Sequence, residues 1–375
     1  MIRHDVADAP PKACVVEIGK VAELYVLPSP RRSAEPLKRR RPHPDRKYGA
    51  FISIRRKSLF WRVADFERSN CTLCGAPDAS IVYRNCRDRR HWLPGLFDVV
   101  RCDGCGLVRT DPRPSVASIA EYYPPSYVSF AAELSRTSVW YAVLRSVVRL
   151  PYVLRYGSAD PWFRPSNRRN RLLDIGCGTG VYLEAMANLG WSVRGVEPDA
   201  VAAARAAERL RVDPHRIFVG RVEEAEFPPG TFDLVTMGHA LEHLHDPRRA
   251  LEKLHSWLRP GGVLRLWLPD FESLESRVFR QLWFGLDVPR HLYHFGRNTI
   301  RAMLEIAGFR VERVVPQYQA NTLSGSVRHT VDALIGREVE FRESMPLYYA
   351  FLPLATMLLG VGIGGALDVT ARRSA

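Results

Sequence analysis

The sequence lacks most of what a secreted or membrane-embedded chain carries. Its N-terminus, MIRHDVADAPPK, has no apolar run followed by a small-residue cleavage site, so secretion is not expected. Only Leu347–Leu367 is long enough and free enough of charge to span a bilayer, which excludes a polytopic membrane protein. No repeat of solenoid period is visible. The cysteines number seven: Cys14, Cys71, Cys74, Cys86, Cys102, Cys105 and Cys177. An odd count, with four in two C-x-x-C pairs, speaks against a disulfide framework. It favours metal in a reducing, cytoplasmic setting.

What is present has the ordinary balance of a globular protein. Of 375 residues, 46% are apolar and 25% charged, enough for a core and too apolar for a wholly disordered chain. The length suggests two or three domains of about 150 residues. The formal charge is +14, but twelve Lys/Arg and two Asp/Glu lie between Arg31 and Arg62, a local +10 that leaves +4 for everything else. Residues 1–62, rich in Pro and Arg, read as a disordered basic arm able to touch nucleic acid or anionic lipid, or as a solvated tail.

Residues 63–115 hold the cysteine pairs, and 116–170 read as a helical linker containing an amphipathic helix over 136–157. From Arg171 onward, short β-rich runs alternate with helical stretches: LLDI, VYLEAMANLG, WSVRGVE, DAVAAARAAERL, RIFVG, FDLVTMG, DPRRALEKLHSWL, GGVLRLWLP. That alternation predicts an α/β fold with a doubly wound, Rossmann-like parallel sheet over 171–375.

The strongest motif is Asp174-Ile175-Gly176-Cys177-Gly178-Thr179-Gly180, a strand, a glycine turn and a helix start. Glycines let a ligand lie against the backbone, and the helix N-terminus offers N–H groups to it. The spacing is G-x-G-x-G rather than the G-x-G-x-x-G of dinucleotide sites, and about 20 residues on, Glu197 ends the next strand. Together these resemble the first two motifs of class I S-adenosylmethionine-dependent methyltransferases. The Leu241-Glu242-His243 ending after the fourth strand is similar to the small-molecule branch of that family, and Leu258-Arg259-Pro260-Gly261-Gly262-Val263-Leu264 resembles the family's helix-to-fifth-strand turn. The resemblance implies S-adenosylmethionine as cofactor. Asp174, Gly176, Cys177, Gly178 and Gly180 would lie around its methionine end, Glu197 on the ribose, Glu223 near the adenine, and His239 beside them.

Candidate bases follow from the same resemblance. His243 follows the fourth strand, and His291 and His294 lie in Asp287-Val288-Pro289-Arg290-His291-Leu292-Tyr293-His294-Phe295, similar to a D-x-P-R-H-x-x-H-F segment of this branch. Glu242-His243 also resembles part of the metal-binding Glu-x-x-Glu-His of some quinone O-methyltransferases. His239 stands where the first Glu would be, so no catalytic metal is expected from that motif.

Cys71-x-x-Cys74-Gly75 and Cys102-x-x-Cys105-Gly106 are separated by 27 residues. Two such knuckles can present four thiolates to one structural Zn²⁺, with Cys86 and His91 outside the ligand set. The arrangement resembles the zinc ribbon that many bacterial methyltransferases of biosynthetic clusters carry ahead of the catalytic domain.

Near the C-terminus, Leu367–Arg372 looks like the final strand of this fold, inserted antiparallel beside Val311–Val315, with an apolar insertion at about 345–366 before it. That insertion suggests peripheral membrane contact. The expected activity is methyl transfer to O, N or C of a small-molecule intermediate, such as a sugar or lipid-linked compound. An RNA methyltransferase using ribbon and arm is the alternative, set back by the absence of an N/D-P-P-Y/F motif and of a Pro-Cys nucleophile. A non-catalytic cofactor-binding or membrane-docked scaffold is a second.

Overall fold

Short strands open the folded chain. β1 (Phe66–Glu67) pairs with β5 (Arg113–Pro114), and between them lie β2 (Ala79–Cys86), β3 (Phe97–Cys102) and β4 (Val108–Thr110). β2, β3 and β4 form an antiparallel meander. Its apolar side, with Cys86, Phe97, Val99 and Val108, packs against Phe271, Trp283, Leu286 and Val288 from far downstream. The structure is a computed structural model and describes residues 65–124, 127, 170–317, 320–336, 354, 358 and 363–374. All lie in one compact unit, Phe60–Ala375; the other unit, Met1–Leu59, is outside the described residues. So are the expected basic arm, the helix at 136–157 and most of the apolar insertion.

The second layer is the α/β domain. β6 (Arg171–Ile175) is buried from Leu172 onward, as the continuous apolar run of a central strand requires. It leads into α1 (Val181–Asn188), then β7 (Ser192–Glu197), α2 (Ala200–Leu210), β8 (Ile217–Val219) and β9 (Phe232–Gly238). Asp199 caps α2 by accepting from the N–H groups of Val201 and Ala202 at 2.8 and 2.9 Å. α3 (Pro247–Trp257) starts with proline at its first turn behind the Asp246 cap. It buries Ala250, Leu251, Leu254 and Trp257 on one face. β10 (Leu258–Pro269), α4 (Leu274–Phe279), β11 (Tyr293–His294), α5 (Arg297–Ile306), β12 (Phe309–Gln317), α6 (Ala320–Ile335) and β13 (Ala366–Arg373) complete the order.

Seven strands form one mixed sheet in the order β12-β13-β10-β9-β6-β7-β8. β13 runs antiparallel between β10 and β12, pairing Leu266 with Val369 and Val311 with Ala371. This is the α/β Rossmann-like fold expected from the sequence, with its final strand beside Val311–Val315. The chain leaves β6 toward β7 on one side and returns to β9 on the other, so a crevice opens at the carboxyl ends of β6 and β9. The core lies along the sheet, where Leu173, Val235, Leu264, Leu268, Leu367 and Val369 are fully buried.

One expectation is corrected. Membrane contact through Leu347–Leu367 is not supported, since no helix among the described residues is long and apolar enough to cross a membrane. The end of that apolar stretch is apolar for a different reason. Ala366 and Leu367 are strand residues, 0% exposed, in the middle of the sheet.

Candidate active site

The cofactor side is built by the turn after β6. Gly176, Gly178 and Gly180 all take left-handed conformations, with φ of 71°, 54° and 77°. At Gly180 a Cβ would stand 2.9 Å from the Cα of Ala206, so this position tolerates no side chain against α2. The N–H of Gly178 donates to Glu197 Oε2 at 2.8 Å, and the N–H of Asp199 donates to Glu197 Oε1 at 3.0 Å. The carboxylate is thus fixed at the end of β7 with a lone pair on each oxygen still available for a diol. Burial raises the Glu197 carboxyl, and the two backbone donors counter part of that rise.

Asp174, buried in the centre of the sheet, accepts from the Thr236 hydroxyl at 2.6 Å. Burial pushes its carboxyl up to about 7, with the Thr236 bond opposing and the Glu197 charge adding to the rise. Glu223 pairs with Arg221 at 3.1 Å through Oε1, while its Oε2 is buried without a hydrogen-bond partner among the described residues. The glycine cradle, the fixed Glu197 and the unsatisfied Glu223 oxygen thus lie in chain order at or after the ends of β6, β7 and β8, neighbouring strands of the sheet. Cys177 is buried against Gly195, where a Cβ would stand 2.6 Å from its Sγ, so it packs the turn from behind.

A second cluster of polar side chains lies one strand over. His239, immediately after β9, has φ of 53°, a strained region for a residue with a side chain. Its N–H donates to the Trp267 carbonyl at 2.8 Å, and its Nδ1 lies 3.3 Å from Glu242 Oε1. Glu242 is 1% exposed. Burial alone would raise its carboxyl, but the His239 hydrogen bond and the adjoining His243 and His291 bring it down to about 2. His243 Nδ1 contacts the Arg290 carbonyl at 3.0 Å and the Tyr123 hydroxyl at 2.8 Å. Burial lowers His243 to about 4, aided by His291, so its ring is neutral near pH 7.

His291 Nδ1 donates to the Gly285 carbonyl at 2.8 Å, which leaves Nε2 as its lone pair. That Nε2 lies 4.0 Å from Glu242 Oε1 and 3.9 Å from Asp287 Oδ2. The His243 and His291 rings meet edge to face at 4.7 Å. The structure therefore gathers His239, Glu242, His243 and His291 into one cluster. His294 is set apart: its Nε2 faces the Thr110 hydroxyl at 3.2 Å on the ribbon side, and burial lowers it to about 3.

Several residues of this site escaped the reading of the sequence. Asp88, Arg90 and Tyr127 reach Asp287 or Arg290 of the loop after α4, and Tyr123 reaches His243. Arg90 binds Asp287 at 3.3 Å and lies over the Tyr127 ring at 4.9 Å, and Tyr127 meets Tyr123 edge to face at 4.9 Å. The detectable signal was the charged Asp88-Arg89-Arg90-His91 run between β2 and β3.

In the ribbon, Cys71 Sγ lies 3.4 Å from Cys105 Sγ and Cys74 Sγ 3.5 Å from Cys102 Sγ. All four sulfurs fall within 4.8 Å of one another. A tetrahedral ion at the usual Zn–S length of about 2.3 Å spaces its sulfurs by roughly 3.8 Å, so the set fits. The two knuckles are built alike: Gly75 N donates to the Cys71 carbonyl at 2.7 Å, and Gly106 N to the Cys102 carbonyl at 2.9 Å. Cys86 packs in the apolar cluster and His91 lies beside Tyr127, both outside the sulfur set.

Comparison with known proteins agrees with this geometry. Residues 152–314 match the family described as Methyltransferase domain. A ubiquinone biosynthesis O-methyltransferase of Pseudomonas aeruginosa (strain LESB58) is 41% identical over 101 residues, 26% of this chain and 43% of that protein. The mitochondrial ubiquinone biosynthesis O-methyltransferase of Schizosaccharomyces pombe is 39% identical over 102 residues, 26% of this chain and 36% of that protein. The chain thus spans less than half the length of these curated relatives. A solved S-adenosylmethionine dependent methyltransferase from Mesorhizobium loti aligns with 61% of this chain and 100% of its own, at 20% identity and a TM-score of 0.39. Over residues 152–314 the chain is therefore similar to a methyltransferase domain.

Proposed function

We propose that this protein transfers the methyl group of S-adenosylmethionine to an oxygen of a small-molecule acceptor bound beside Glu242, His243 and His291. The observation that carries the reading is the adjacency of two sites. The cofactor cradle at the ends of β6 and β7 lies next to a buried carboxylate–imidazole cluster that follows β9. In the proposed reaction the acceptor oxygen attacks the methyl carbon, the C–S bond breaks, and the electron pair returns to sulfur as the thioether. The acceptor's proton leaves toward the cluster. His294 is committed to Thr110 and His243 is weakly basic, so acceptor activation falls to His291, with the Glu242 carboxylate 4.0 Å from its Nε2. Positioning supplies much of the acceleration. The names of the relatives, ubiquinone biosynthesis O-methyltransferases, support oxygen over nitrogen or carbon.

In this reading Asp174, Gly176, Cys177, Gly178 and Gly180 border the methionine end, Glu197 holds the ribose and Glu223 faces the adenine. His239 is a bridge between the two sites. The ribbon, residues 63–115, holds a structural Zn²⁺ on Cys71, Cys74, Cys102 and Cys105 and closes one side of the acceptor region. The remaining organisation follows the sequence, with an arm over 1–62, a linker over 116–170 and the methyltransferase domain over 171–375.

The test is transfer from methyl-labelled cofactor to fractionated cell lysate, with and without nuclease. Label in the small-molecule fraction, unchanged by nuclease and on an alkali-stable ether, is the expected result. Label that disappears with nuclease would overturn the reading in favour of RNA.

A further inference from the structure

Helix α6 buries polar residues where a docked helix ordinarily buries apolar ones. Thr322, Ser326, His329 and Asp332 follow one another at spacings of four, three and three, a single stripe along the helix. None is more than 6% exposed. Polar groups are costly to bury unless each is bonded, so the stripe asks for partners. Asp332 meets Arg328 of the same helix at 3.4 Å. Ser326 and His329 instead reach out of the helix, to the chain around the short turn Phe284–Leu286.

Ser326 Oγ accepts the Phe284 N–H at 2.9 Å and donates to the Thr322 carbonyl at 2.6 Å. His329 Nδ1 donates to the Leu282 carbonyl at 3.2 Å, and its ring lies 5.6 Å from that of Phe284. Gly325 lets the helix backbone come close, because a Cβ there would run into the Phe284 ring. The clamped turn in turn holds His291. The Gly285 carbonyl takes the His291 Nδ1 proton at 2.8 Å, and the Asp287 carbonyl takes its backbone N–H at 3.0 Å. The bond to Gly285 keeps the proton on Nδ1 and leaves the lone pair on Nε2. If the Gly285 peptide turned away, the ring could carry its proton on either nitrogen.

We infer that Ser326 and His329 of α6 are positioning residues for methyl transfer: by pinning the chain at Leu282 and Phe284, they fix the orientation and tautomer of His291. The inference rests on the proposed function for what His291 does to the acceptor. How His291 is held follows from the hydrogen bonds alone. It gives the polar stripe a task that an apolar stripe could not perform. Leucine at either position would dock the helix equally well, but would leave the Phe284 N–H or the Leu282 carbonyl without its partner.

The experiment is ¹⁵N-histidine NMR of the full chain at about pH 8, where a free imidazole is neutral. The His291 signals are assigned by their loss in His291→Gln. The parent should show one His291 species, protonated on Nδ1. Ser326→Ala and His329→Leu should each add a second species protonated on Nε2. Each should also slow transfer from methyl-labelled S-adenosylmethionine to the small-molecule fraction of lysate by about 10-fold or more, with the KM for the cofactor unchanged. Ser326→Thr and His329→Asn, which keep a hydroxyl and an N–H donor in place, should restore the parent's signal and rate. Ser324→Ala, whose hydroxyl bonds within its own turn at Asn321, should alter neither. Should Ser326→Ala not fold, the His329 pair decides. A single Nδ1–H species in the variants that fold, or an equal shift in Ser324→Ala, would overturn the inference. No transfer by the parent, with the tautomer responding as stated, would instead sink the methyl-transfer reading and leave the account of how His291 is held standing.

Discussion

Arg290 and Asp88, 202 residues apart in the chain, meet at 2.6 Å with both side chains fully shielded from solvent. Arg290 also binds Asp287 at 2.6 Å and the Tyr122 carbonyl at 3.1 Å. One guanidinium thus ties the N-terminal hairpin, the segment after it and the acceptor loop together.

Removing one partner leaves the other charge buried, so Asp88→Asn should destabilise the protein by about 3–5 kcal/mol. Urea unfolding followed by tryptophan fluorescence measures it. The paired change Asp88→Leu with Arg290→Met should recover a large part of the loss. Equal stability in Asp88→Asn and the parent would show that the network contributes nothing.

Glu197 is fixed by the N–H groups of Gly178 and Asp199, in the proposed site its carboxylate takes the ribose hydroxyls, and hydrogen bonds to a charged group contribute roughly 1.5–3 kcal/mol each. Glu197→Ala should therefore weaken S-adenosylmethionine binding by about 100-fold or more, read by calorimetry. Thermal stability without cofactor should change much less.

Asp174 gives a pH dependence with a definite sign. Its carboxyl rises from 3.8 to about 7 in the fold, mainly through burial. Between those values the folded state holds a proton that the unfolded state has released. Stability of the cofactor-free protein should therefore fall as pH rises from 3.8 to about 7, then level off. Cofactor affinity should run the other way through pH 7, because the ionised form attracts the methionine ammonium. Asp174→Asn should flatten both profiles, and an unchanged slope in either would refute the assignment.

Chelation acts on the ribbon. Structural zinc contributes about 10–16 kcal/mol of apparent binding energy in small Cys-ligated folds. Stripping it, or changing Cys71→Ser, should abolish amide-exchange protection in β2 and β3 while leaving β6 and β9 protected. Full protection of the hairpin without metal would contradict a zinc-held ribbon.

Local chemistry explains how much of this was legible in the sequence. The glycine turn, Glu197, the cysteine knuckles and the alternation of strands and helices are short-range patterns, and each appears in the fold where the residues placed it. The antiparallel β13 was readable because Leu367–Arg372 keeps strand patterning after a long gap. Asp88 with Arg290, and Tyr123 with His243, are pairings over long separations. Nothing periodic announces such pairs, because their partners are chosen by tertiary packing. Ala366 and Leu367, the end of the apolar run, misled for a related reason: burial inside a sheet and burial in lipid demand the same residues.

The sheet order of the ribbon has a consequence for engineering. Its fourth strand, β11, comes from the acceptor loop and pairs with β4 through Tyr293 with Arg109 and His294 with Val108. The four-cysteine module is therefore completed by a segment encoded almost two hundred residues downstream. A chimaera that transplants the ribbon alone would expose the open edge of β4 to self-association, and a catalytic domain trimmed of its ribbon would lose the backing of the loop that carries His291. The two halves can be exchanged between relatives only if the 285–295 loop travels with the ribbon.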